Sequence, residues 1–143
     1  MRLESGAATH QGQVRENNED AYLIDDERAL FAVADGMGGH RGGEVASHTA
    51  IESLRASVAA GTPINDAISK ANAAVIERAA GDVDLAGMGT TLTAVAVAGP
   101  SQLLIGHVGD SRAYCLHDGS LQRVTDDHSL VEELVREGKL TPE

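Results

Sequence analysis

Tryptophan is absent from this chain, phenylalanine occurs once and tyrosine twice. The core must therefore be built from Val, Ile, Leu and Ala. Cysteine is nearly absent as well. Cys115 alone excludes an internal disulfide and a multi-cysteine zinc site, and it fits a reducing cytoplasm. Cations are scarce: 11 Lys and Arg stand against 22 Asp and Glu, for a net charge of −11. That balance argues against nucleic acid, which recruits basic surfaces. It suits a protein that collects cations, although most such charges are ordinary solvated surface. No apolar run approaches the roughly 18 residues of a membrane span. The opening "MRLESGAATH" lacks the apolar centre of a signal peptide. Repeats and low-complexity tracts are also missing.

What is present is enough for one domain with a sizeable core: 143 residues, 42% of them hydrophobic. Two short apolar runs, 21–25 and 29–35, flank the charged turn Asp26-Glu27-Arg28 and read as a hairpin. Val45, Ile51, Leu54 and Val58 then recur near helical spacing in a segment that Gly61 ends. Thr62 and Pro63 restart a helix as N-cap and first-turn proline, and Gly81 closes it. After residue 89 the composition turns β-rich in four runs, 90–99, 101–110, 112–119 and 120–125, with Asp118-Gly119 as a two-residue hairpin signal. A last amphipathic helix is predicted over 127–139. Segregated strands and helices indicate an α+β layered domain, not alternating βαβ units.

The most unusual stretch is "FAVADGMGGHRGGEVAS", residues 31–47, in which five of the eight residues after Asp35 are glycine. Familiar phosphate loops fail on spacing. The only Gly-Lys pair, Gly138-Lys139, is followed by Leu140, which excludes a Walker loop, and Arg41 stands where G-x-G-x-x-G needs its third glycine. A cysteine-phosphatase loop would need arginine where Leu121 stands, and Asp82-Val83-Asp84 follows no apolar strand and reads as a surface loop. What remains is a set of acids at strand ends: Asp35 and Asp110 close apolar strands, while Glu19 and Asp20 precede one. Such acids repel unless a cation sits among them, and oxygen ligands suit Mg²⁺ or Mn²⁺. Glycines beside Asp35 would let backbone approach that ion. On spacing alone, acids that merely cap strands and turns explain the pattern equally well.

Four motifs in order, "GQVRENNEDAY", "FAVADGMGGHRGGEVAS", "GMGTTLTAVAV" and "GHVGDSRAY", resemble the N-terminal part of the bacterial type 2C, metal-dependent Ser/Thr protein phosphatases. The resemblance implies a four-layer α-β-β-α sandwich, of which residues 1–143 would be the N-terminal part, ending within the flap at "GKLTPE". The C-terminal Asp-Gly and Pro-Asp-Asn motifs, which supply further metal aspartates in the family, are absent from this sequence.

By the same resemblance Asp35 bridges two catalytic ions and Gly36 lends one of them its carbonyl. Glu19 and Asp20 orient metal-bound waters, Arg15 clamps phosphate, and Asp110 serves an additional metal. The implied cofactors are two Mn²⁺ or Mg²⁺ ions with a possible third. The implied reaction is hydrolysis of phosphoserine or phosphothreonine by a metal-activated water, without a covalent enzyme intermediate. Implied partners are phosphoproteins, among them Ser/Thr kinases and their substrates, in a cytoplasmic setting. Met37 stands where some members carry a histidine proposed as general acid, so that role is unassigned; His40 is a substitute or a solvated loop histidine. A half-sandwich is also expected to self-associate through strand edges. The alternative to a phosphatase is a non-catalytic binding or regulatory module on the same fold; a third reading, cation binding with unrelated chemistry, is disfavoured by the motif containing Arg15.

Overall fold

In a computed structural model that describes residues 3–13, 18–38, 41–97, 99 and 102–127, strand β1 (Asp20–Asp25) turns back into β2 (Leu30–Met37). The predicted hairpin is present, with its turn one residue longer. Ala29 closes that turn in the left-handed region (φ 49), and its N–H donates to the Asp26 carbonyl at 3.3 Å. Both strands extend further at their acidic end than the apolar runs suggested. β1 takes in Asp20, and β2 runs past Asp35 to Met37.

Helix α1 (Gly42–Ala59) follows the glycine loop, and the chain leaves it through Gly61 at φ +89, the left-handed exit that glycine favours. Helix α2 spans Ile64–Ala80. Here the expected cap is corrected. Pro63, extended at ψ 150, occupies the cap position, and no side chain caps the helix. Pro63 is itself extended, so the helix starts after it, and its carbonyl accepts the Ala67 N–H at 2.9 Å. Residues 82–84, read as loop, form the start of a 3-10 turn (Val83–Leu85) in which the Asp82 carboxylate accepts the Asp84 N–H.

The β-rich half gives β3 (Gly89–Thr90), β4 (Leu92–Val97), β5 (Leu103–Val108), β6 (Tyr114–His117) and β7 (Ser120–Arg123). The run expected as one strand from residue 90 is interrupted at Thr91. Strands β1, β2, β4 and β5 form an antiparallel sheet in that order, with β3 paired to the end of β2. β6 and β7 form a separate hairpin, and both of its turn residues are left-handed (Asp118 φ 50, Gly119 φ 77), as Asp-Gly predicts.

Strand alternation sorts the sheet's two faces. Leu30, Ala32, Ala34, Leu92 and Ala94 point to the helices and meet Ala46, Ala50 and Leu54 of α1, with Ala67, Ala71 and Val75 of α2 in the same buried cluster. No aromatic residue belongs to that cluster. Alanine brings the helices close: a Cβ on Gly106 of β5 would stand 2.9 Å from Ile68 Cγ1 of α2. The other face carries Tyr22, Ile24, Val33, Leu103 and Ile105, which remain 37% to 56% exposed. Residues 3–7 lie beside it and border a shallow cavity of about 400 Å³. Among the described residues no helix is long and apolar enough to cross a membrane. The helix expected over 127–139 and the "GKLTPE" segment lie outside the described residues, apart from Asp127.

Candidate functional site

Asp20 and Asp35 are direct partners in the β1–β2 ladder. Partners in an antiparallel pair share a face, and both are exposed on the face away from the helices. Together with Thr9, His10, Tyr22 and Ser111 they line a cavity of about 310 Å³. No lysine or arginine lines it among the described residues. Two like charges directly opposite one another destabilise a strand pair, and a cation between them removes that penalty. The donor set therefore fits a hard divalent ion. It is an incomplete set: among the described residues no three His, Cys, Asp or Glu side chains converge to hold a metal.

Glu19, adjacent in sequence to Asp20, faces the other way. Its Oε2 stands 1.9 Å from where a Cβ on Gly43 would be, in the first turn of α1. A carboxylate at that helix end opposes the positive pole of the helix dipole. The Glu19 carbonyl accepts the Gly36 N–H at 2.9 Å. Gly36 is buried beneath the same turn, and a Cβ there would collide with the Gly43 carbonyl oxygen at 1.8 Å. Two of the five glycines are thus required by backbone-to-backbone packing that sets the strand end carrying Asp35 against α1. Acids bracket this corner from both faces, Asp20 and Asp35 on one and Glu19 on the other.

Asp110 follows β5 and is exposed. It does not line the Asp20–Asp35 cavity, but its neighbour Ser111 does. The Ser111 hydroxyl lies 2.6 Å from Thr91 Oγ1, and Thr91 Oγ1 accepts the Asp35 N–H at 2.9 Å. Thr91, Ser111 and His10 are the residues that sequence reasoning missed at this site. Only the motifs around Thr91 and Ser111 hinted at them. His10 accepts the Gly12 N–H at Nδ1, 2.8 Å away. Arg15 and His40 lie outside the described residues. Met37 is 66% exposed.

Beyond the cavity, His107 joins β4 to the segment after β7, with Nδ1 at 2.7 Å from Thr93 Oγ1 and Nε2 at 3.0 Å from the Asp126 carbonyl oxygen. Arg112 grips Asp127 through Nε at 3.0 Å and a terminal nitrogen at 2.6 Å. That hydrogen-bonded pair, with the charges of Arg112, Arg123 and His107 added, holds the Asp127 carboxyl below its ordinary value.

Comparison with known proteins decides the family. The family profile described as Protein phosphatase 2C matches residues 8–138. The chain belongs to the protein phosphatase 2C family. It is similar to the serine/threonine protein phosphatase PstP of Mycobacterium tuberculosis, 43% identical over 99% of this chain and 28% of that protein. It is also similar to a serine/threonine phosphatase of Listeria welshimeri, 40% identical over 94% of this chain and 58% of that protein. The solved catalytic domain of PstP in complex with two manganese ions superposes with a TM-score of 0.80 at 42% identity, covering 94% of this chain and 60% of that one. The chain thus spans under two thirds of these relatives. Its α+β architecture is that of the protein phosphatase 2C fold.

Proposed function

We infer that this chain carries the N-terminal metal- and phosphate-handling part of a phosphoserine/phosphothreonine protein phosphatase. The observation that carries the reading is the Asp20–Asp35 pair, two carboxylates set opposite each other on one strand pair and lining one cavity. Asp35 and Asp20 would hold Mn²⁺ or Mg²⁺ with the Gly36 carbonyl, and Glu19 fixes the Gly36 peptide from the helix side. Bound divalent ions supply a water of lowered pKa and neutralise phosphate charge. Arg15 clamps the phosphate, since a guanidinium grips two oxygens at once, and Asp110 serves a further ion. The substrates are phosphoproteins, Ser/Thr kinases and their targets among them. The exposed free thiol of Cys115 suits a reducing cytoplasm.

The test is phosphate release from a phosphothreonine peptide during Mn²⁺ titration, by this chain and by the chain completed with the C-terminal segment of a relative. The completed protein turns over and its Asp35→Asn variant does not; the short chain turns over little. Loss of neither activity nor Mn²⁺ dependence in Asp35→Asn would sink the assignment. A non-catalytic phosphatase-like module is the second reading, favoured by the incomplete ligand set among the described residues. A completed chain that binds phosphopeptide without hydrolysing it would establish that alternative.

A further inference from the structure

We propose that Thr91 is a positioning residue that holds Asp35 in place and couples it, through Ser111, to the turn bearing Asp110. The proposal rests on the metal-site reading of Asp35 given above. It starts from a fault in the sheet. The β2–β4 pairing (Val33 with Thr93) and the β2–β3 pairing (Gly36 with Thr90) share one register, which makes Thr91 the partner of Asp35. Hydrogen-bonded partners in an antiparallel ladder exchange two backbone bonds. Only one of the two forms here: the Thr91 N–H donates to the Asp35 carbonyl at 2.9 Å. The Asp35 N–H donates instead to the Thr91 side-chain oxygen, also at 2.9 Å. The Thr91 carbonyl, displaced from the ladder, accepts the Thr90 hydroxyl at 2.8 Å. A side-chain rung has replaced a main-chain rung at the residue that carries the carboxylate.

Substitution by a hydroxyl has a consequence that a carbonyl rung lacks. A hydroxyl has a proton to offer as well as lone pairs, and here it reaches Ser111 Oγ at 2.6 Å, with either oxygen able to donate. Thr91 is also wedged mechanically. Gly109 sits against it at φ +103, where a Cβ would stand 2.7 Å from Thr91 Cγ2. The methyl of Thr91 thus meets Gly109 and its hydroxyl meets Ser111, the two neighbours of Asp110. One side chain bridges the Asp35 peptide and the Asp110 turn, and valine or serine would each keep only half of it.

The experiment compares Thr91→Val, which keeps the wedge and loses the hydroxyl, with Thr91→Ser, which keeps the hydroxyl. Mn²⁺ affinity is read by calorimetry or water-proton relaxation in this chain, with Asp35→Asn as control. Exchange of the Asp35 amide is read by NMR without metal. Thr91→Val is expected to weaken Mn²⁺ binding about tenfold and to speed Asp35 amide exchange by at least about tenfold, the worth of one hydrogen bond. Thr91→Ser is expected within about twofold of the parent in both readouts. Unchanged Mn²⁺ affinity in Thr91→Val, with binding lost in Asp35→Asn, overturns the positioning role and leaves the metal reading standing. Equal loss in Thr91→Val and Thr91→Ser overturns it too, since packing alone would then explain both. No saturable Mn²⁺ binding by the parent overturns the metal reading and the positioning role with it. If Thr91→Val does not fold, Ser111→Ala decides: about a threefold loss of Mn²⁺ affinity in a folded chain supports the coupling, and unchanged affinity overturns it.

Discussion

Gly36 and Gly43 meet backbone to backbone, so closely that a Cβ on Gly36 would lie 1.8 Å from the Gly43 carbonyl oxygen and one on Gly43 would lie 1.9 Å from Glu19 Oε2. Backbone cannot step aside as a carboxylate can. Gly36→Ala is expected to destabilise by about 3 kcal/mol or more, and Gly43→Ala by about 1–2 kcal/mol, because Glu19 can swing away and alanine favours helix. Gly6→Ala, with open space around it, should change stability by less than about 0.5 kcal/mol. Urea denaturation of the three variants checks the order.

The opposed acids give a prediction whose sign depends on metal. Asp20 faces Asp35 across the ladder, so removing one charge relieves repulsion when no ion is bound. Asp20→Asn is expected to raise metal-free stability by about 0.2–1 kcal/mol. With saturating Mn²⁺ the order reverses, since the parent gains more from binding the ion. Thermal melts with chelator and with Mn²⁺ distinguish the two regimes. Asp20→Asn less stable than the parent under chelator would mean that a structural contact, not charge, dominates there.

Arg112 lowers the Asp127 carboxyl below its ordinary value of 3.8. A carboxyl whose folded pKa is depressed stabilises the fold above its unfolded value, and that contribution disappears as pH falls through the lower, folded value. The parent should therefore lose melting temperature more steeply than Asp127→Asn on acidification below the ordinary carboxyl range. The two curves should run parallel at neutral pH. Melts of both proteins across the acid range provide the measurement.

The open face of the sheet and its two edge strands among the described residues, β1 and β5, invite pairing with other chains. Ile105 is on that face at the β5 edge and 38% exposed. The chain is expected to self-associate at high concentration, and Ile105→Lys to reduce the association without lowering stability by more than about 1 kcal/mol. Light scattering across a concentration series reads the outcome; a parent that stays monomeric throughout would contradict it.

Two apolar runs about the charged turn at 26–28 were enough to place the first hairpin, and Asp118-Gly119 was enough to place the second with its turn geometry. Both are local signals, carried by a break in apolar sequence and by residues that tolerate positive φ. The start of α2 was misplaced by one residue because Pro63 is itself extended and takes the cap position expected for Thr62. The interruption at Thr91 was not legible, since its cause is a hydroxyl that reaches an amide 56 residues away. Acids at strand ends could be picked out by eye. That Asp20 would face Asp35 while Glu19 turned toward α1 depends on where β1 begins, and the apolar run began one residue later than the strand does. The glycines were visible as an excess. Two of them answer to a helix packed on a strand, a contact that no single segment encodes.

The strand order places the two ends of this site under different kinetic control. β2 is an interior strand with neighbours on both sides, so the backbone that carries Asp35 moves only when the sheet itself opens. Asp110 follows β5, an edge strand among the described residues, where fraying is the cheapest local unfolding available to a sheet. A ligand resting on Asp35 would therefore have a residence time set by its own chemistry, against a scaffold that is still on that timescale. One resting on Asp110 would be released whenever the edge breathes, and the link from Ser111 through Thr91 to Asp35 is what limits how often that happens.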